Sequence, residues 1–63
     1  MKTIKATDIM PEDVHPIFGP VIEIRIRNNG RSIDIYFDEL KTRDGRRIPM
    51  FCTLNTRLEM AGE

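Results

Sequence analysis

Residues 21–37 constrain this chain more than any other stretch. They read Val-Ile-Glu-Ile-Arg-Ile-Arg-Asn-Asn-Gly-Arg-Ser-Ile-Asp-Ile-Tyr-Phe. Two runs of apolar/polar alternation flank Asn29-Gly30, and a period of two marks strands with one covered face. Asn-Gly is the dipeptide of a two-residue type I′ hairpin turn, because both central positions need positive φ. The turn then dictates the pairing. Ile26 faces Ile33, Ile24 faces Ile35 and Ile22 faces Phe37 on one side. Arg27 faces Ser32, Arg25 faces Asp34 and Glu23 faces Tyr36 on the other, with Asn28 opposite Arg31 at the tip. A slip of one residue would send every isoleucine to the wrong face, so turn chemistry and pattern demand the same register. The apolar set is expected in the core, with Ile24 and Ile35 as fully buried partners. The polar set is expected in solvent, where an Arg25–Asp34 pair is worth at most about 1 kcal/mol.

Residues 2–7 alternate enough for a short first strand, with Ile4 and Ala6 inward and lysines suited to an edge. Residues 8–20 form a loop. Pro11, Pro16 and Pro20 exclude a long helix or a central strand. Pro11-Glu12-Asp13 resembles a first helical turn, and Pro16 keeps His15 from continuing it. Ile9, Met10, Val14, Ile17 and Phe18 are too apolar for a free linker, so the loop is expected to pack over an open end of the sheet.

Residues 38–54 read as a second hairpin turning at Asp44-Gly45. The strand that begins after Arg31 runs on into it. Leu40 falls on the opposite face from Ile33, Ile35 and Phe37, and a bulge at Asp38-Glu39 would return it to the core. Residues 48–54 are uncharged and largely apolar, so they need cover. Met50, Cys52 and Leu54 are expected to alternate inward, and Pro49 belongs at an edge or a strand start. Residues 55–63 fit either a short capped helix or a tight turn followed by a strand at 58–60; the turn and strand are the preferred reading.

This order of short strand, long loop, two hairpins, turn and end strand predicts one mainly β domain over residues 1–63, an SH3-like small barrel. A curled OB-like sheet is the first alternative, and an α+β sheet with one short helix the second.

Catalytic signatures are missing. The four glycines, at 19, 30, 45 and 62, are too far apart for a phosphate loop or a dinucleotide fingerprint. A zinc site needs three or four Cys and His ligands, and only Cys52 and His15 are present. Glu12, Asp13 and His15 could hold a metal weakly, but a solvated loop explains them better. Cys52 sits among apolar neighbours and reads as a buried, inert thiol rather than a nucleophile. No cofactor and no enzyme activity are expected. A single cysteine, no long apolar N-terminal run and no span of about 20 apolar residues fit a cytoplasmic, non-membrane setting.

Two surfaces remain. Arg25, Arg27 and Tyr36 share the outward face of the first hairpin, a composition used both by protein hot spots and by sheets that stack single-stranded bases. Arg31, Arg43, Arg46 and Arg47 lie at the turns, where guanidiniums could clamp phosphate or an acidic protein surface. Ten Lys plus Arg balance ten Asp plus Glu, which argues against a dedicated nucleic-acid binder. The expected function is a small non-enzymatic interaction protein with a protein partner, of a size that suits a phage or mobile-element regulator or inhibitor; binding of single-stranded nucleic acid is the alternative. A core this small is marginal, so a homodimer covering Met50, Phe51 or Leu54 is also expected.

Overall fold

The computed structural model describes residues 2–62, which leaves the last residue of the end element, 63, outside the described part. Six strands follow one another: β1 (Lys2–Lys5), β2 (Val14–His15), β3 (Gly19–Arg27), β4 (Ser32–Lys41), β5 (Arg47–Thr53) and β6 (Arg57–Met60). They form two antiparallel sheets, one of four strands in the order β2-β3-β4-β5 and one pairing β1 with β6. The larger sheet curls into a half-barrel, as in SH3-like and OB-like small barrels. Among the described residues no segment is α-helical, so the expected alternative with a short helix does not apply; the chain closes instead on a turn and the strand β6. Among the described residues no helix is long and apolar enough to cross a membrane.

The first hairpin has the register its pattern demands near the tip. Ile26 pairs with Ile33, Ile24 with Ile35, Arg25 with Asp34, Arg27 with Ser32 and Glu23 with Tyr36. Asn29 (φ 57°) and Gly30 (φ 88°) are both left-handed, and the Arg31 N–H donates to the Asn28 carbonyl at 3.1 Å, as a type I′ turn requires. Asn28 is left-handed too (φ 52°), so Asn28 and Arg31 belong to the loop and not to the ladder. The far end departs from expectation. A bulge between Val21 and Glu23 makes Val21, not Ile22, the partner of Phe37, and pushes Ile22 into solvent.

The second hairpin turns through Thr42–Arg46. Gly45 N–H donates to the Thr42 carbonyl, Thr42 N–H to the Arg46 carbonyl, and Gly45 is left-handed at φ 88°. The β4–β5 ladder is regular from Ser32–Thr53 to Tyr36–Pro49 and then shifts before Lys41–Arg47. That shift is the expected irregularity around Asp38-Glu39, and Leu40 packs against the core, half-buried.

The core consists of Ala6, Ile9, Val21, Ile33, Ile35, Phe37, Cys52 and Met60. Ile35, Phe37 and Met60 are fully buried, each worth about 1.5–3 kcal/mol of apolar burial. The N-terminal segment supplies less of this cover than its composition suggested. Ile9 is buried and Phe18 half-buried, but Met10, Val14 and Ile17 face solvent. The first strand stops at Lys5 and a 3-10 turn (Ala6–Asp8) follows it. The expected helical turn at Pro11 is an ordinary turn closed by Asp13 N–H to the Met10 carbonyl. Leu54 is exposed and Met50 only half-buried, so the inward row on β5 ends at Cys52. Ile24 is half-buried rather than fully covered.

The molecule is flattened, with Cα extents of 31 × 31 × 15 Å. Its accessible surface is 4569 Å², against about 4,200 Å² for a typical monomer of this mass.

Candidate interaction face

The outer face of the four-stranded sheet gathers the polar and aromatic side chains of β3, β4 and β5. Directly paired residues lie on the same face, so the two ladders define three cross-strand rows. Arg27, Ser32 and Thr53 form the first row. Arg25, Asp34 and Phe51 form the second. Glu23, Tyr36 and Pro49 form the third.

Charge on this face is compensated internally. The Asp34 carboxylate accepts two hydrogen bonds from Arg27, from Nε at 2.7 Å and from Nη2 at 2.9 Å. This corrects the expected Arg25–Asp34 pair: the twist of the strands brings the diagonal Arg27 fork onto the carboxylate, while Arg25 pairs with Glu23 on its own strand. Asp34 is buried, its side chain only 8% exposed. The Arg27 hydrogen bonds hold its carboxyl below the usual range and outweigh the opposing effect of desolvation.

The two guanidiniums also lie over aromatic rings. Arg25 Cζ is 5.4 Å from the Tyr36 centroid, and Arg27 Cζ is 5.8 Å from that of Phe51. Phe51 itself is 71% exposed. Hence three separate observations in the sequence, the arginines of β3, Tyr36 of β4 and the apolar run of β5, converge on one surface. Phe51 was legible as a candidate contact, but not as a neighbour of Arg27; that needs the β4–β5 register. Of the three residues expected at an oligomer contact, Phe51 is on this face, Met50 is on the inner one and Leu54 is exposed beyond the end of β5.

The turn arginines fall into two groups at opposite ends of β4. Arg31 lies at one end of β4, and Arg43, Arg46 and Arg47 lie at the other, roughly 30 Å away along ten residues of strand. Arg47 pairs with the Asp38 carboxylate at 2.7 Å. The second turn also holds its own acid, since Thr42 Oγ1 donates to Asp44.

Edge pairing is restricted. β5 is the last strand of its sheet. Pro49 has no N–H to offer an incoming strand, and the Thr53 N–H, of the same parity, goes to Thr56 Oγ1 at 2.9 Å. Between them only Phe51 keeps an outward N–H. The edge is blunted where the face is open.

On the inner side, Ala6, Thr7, Ile9, Ile24, Ile26 and Ile33 line an apolar groove of about 190 Å³. Ile26 is 67% exposed at its mouth. Among the described residues no three His, Cys, Asp or Glu side chains come together as a metal site. In the loop group, Asp13 accepts the Met10 N–H and His15 accepts two backbone amides, so both are engaged locally. The Cys52 thiol is buried and pushed up, first by desolvation and then by the charge of Asp34. No family model, curated protein or solved structure matches the chain.

Proposed function

We propose that this chain is a small non-enzymatic interaction protein that docks a protein partner on the outer face of its four-stranded sheet. The observation that carries the reading is the placement of exposed Phe51 on the same face as Tyr36 and under the Arg27 guanidinium. Aromatic and arginine side chains dominate protein hot spots: the rings bury much area with few rotors to freeze, and the planar guanidinium presents a fixed fork of donors. Here Arg27 is held by Asp34 and Arg25 by Glu23, so the face is organised before any partner arrives. The same pairing weakens the nucleic-acid alternative. A phosphate would have to compete with carboxylates already bound to both guanidiniums.

Arg25, Arg27, Tyr36 and Phe51 form the contact in this reading, and the turn arginines are peripheral to it. A second copy of the chain is one candidate partner. The size fits a regulator or inhibitor of the phage or mobile-element kind, acting in the cytoplasm.

Affinity capture from source-cell lysate tests the proposal, using the wild-type chain, Phe51→Asp and Arg43→Asp. A protein retained by the wild type and by Arg43→Asp, and lost with Phe51→Asp, is the expected result. Equal retention by all three overturns the face. A salt titration with single-stranded oligonucleotides decides the alternative, since phosphate binding would weaken log-linearly with salt. Light scattering over a wide concentration range identifies a second copy as the partner if mass doubles in the wild type and not in Phe51→Asp.

A further inference from the structure

We infer that His15 is an acid-sensitive clasp at the seam between the two sheets. Its Nδ1 accepts two backbone hydrogen bonds, from Ile17 N–H at 3.0 Å and from Phe18 N–H at 3.2 Å. A ring nitrogen that accepts carries no proton, so the imidazole is neutral with its proton on Nε2. The ring stacks on Phe18, with centroids 4.7 Å apart, and meets the fully buried Phe37 edge-on at 5.3 Å.

Further backbone bonds depend on the same turn. The Val14 carbonyl accepts from Ala61 N–H at 2.7 Å, next to the end of β6 in the smaller sheet. The Phe18 carbonyl accepts from Glu39 N–H at 2.9 Å, at the irregular part of β4 in the larger one. The segment from Val14 to Phe18 therefore ties β4 and the β6 end together above Phe37.

Protonation at Nδ1 would turn the acceptor into a donor aimed at two donors. Both bonds would be lost at once, and leaving the half-buried Phe18 N–H without a partner is costly. Burial against the phenyl rings also disfavours the imidazolium, holding its pKa below the ordinary 6.5. The charged groups on the surrounding elements are few. Asp13, on the same loop, has its carboxylate on Met10 N–H. Glu39, on β4, lies with its Cγ 3.5 Å from where a Cβ on Gly19 would be. Ala61 brings no charge from the β6 side. Burial is the one cause acting on the ring.

The direction follows from linkage. The opened loop binds a proton more readily than the closed one, so the clasp is complete above pH 6.5. It weakens as pH falls from 6.5 toward the lower pKa of the closed form. Opening would uncover Phe18 and Phe37, an apolar surface that neutral pH keeps closed. His15 is the only histidine in the chain, so a change in this range that follows a side chain points to it.

Amide hydrogen exchange of the full chain between pH 7.5 and 5, expressed as protection factors, tests the clasp. Protection at Ile17, Phe18, Glu39 and Ala61 is expected to fall together on acidification, by about tenfold for each unit that the His15 pKa lies below its ordinary value. His15→Asn keeps an acceptor near the Nδ1 position without a proton equilibrium there; it should stay protected at pH 7.5 and lose the acid response. Glu39→Gln should retain the response. Constant protection in the wild type overturns the clasp, even should His15→Asn fail to fold. So does an unchanged fall in His15→Asn, or its disappearance in Glu39→Gln.

Discussion

β3 and β4 carry the same apolar alternation and meet opposite fates. On β4, Ile33, Ile35 and Phe37 are all buried, and so is Asp34 on the other face. On β3, Ile22 and Ile26 are exposed and Ile24 is half-buried. The cause is their place in the sheet. β4 lies between β3 and β5 along its regular part, whereas β2 pairs with β3 only at Gly19 and Pro20. From Ile22 onward β3 behaves as an edge strand, and the bulge at its start turns Ile22 outward. A hydrophobic pattern thus states which side chains share a face, while neighbouring strands decide how deeply that face is covered.

The largest expected effect separates the two strands directly. Ile35→Ala removes a fully buried side chain and should lower unfolding free energy by about 2–5 kcal/mol, enough to unfold a marginal domain. Ile24→Ala, across the ladder, should cost clearly less. Chemical denaturation of both variants measures the gap. Equal losses would mean that β3 is covered as fully as β4 and that its edge character is wrong.

A step down in size lies at the join between the strands. Gly30 has φ 88° and open space around it, so a larger side chain there meets backbone strain and no clash. Gly30→Val should destabilise the fold by about 1–3 kcal/mol. Unchanged stability would show that the left-handed turn is not what holds β3 in register with β4.

The polar faces differ in the same way, and pH reads this out. Asp34 on β4 is buried under Arg27, whose hydrogen bonds lower its pKa from the usual 3.8. A depressed carboxylate stabilises the fold at neutral pH, and that contribution is lost as pH falls from about 3.8 through the lower folded value. Asp34→Asn should flatten the acid limb of a stability–pH profile below that point. An acid limb as steep as in the wild type would place the responsible carboxylate elsewhere.

The smallest effect is reserved for the exposed end of β3. Ile26→Thr keeps β-branching at a site 67% open to water, and it should change stability by less than about 0.5 kcal/mol. A loss above 1 kcal/mol would mean that the apolar groove closes over Ile26 in solution.

Local chemistry determined a large part of this molecule without help from tertiary structure. Asn29-Gly30 and Asp44-Gly45 place the turns, the period of two sets the pairing from Ile24–Ile35 to Arg27–Ser32, and Pro16 breaks the loop before any helix forms. Each depends on φ preferences or on the pleat, which a short segment carries within itself. What only the tertiary structure decided is everything that depends on a third strand or a remote segment. The Arg27 fork rather than Arg25 holds Asp34, because strand twist selects the diagonal. Phe51 meets Arg27 because β5 pairs beside β4 at one register out of several. His15 meets Phe37 edge-on because the loop folds back over it, whereas its two amides come from its own turn. Burial and proximity are properties of the assembled neighbours, and no stretch of sequence read alone contains them.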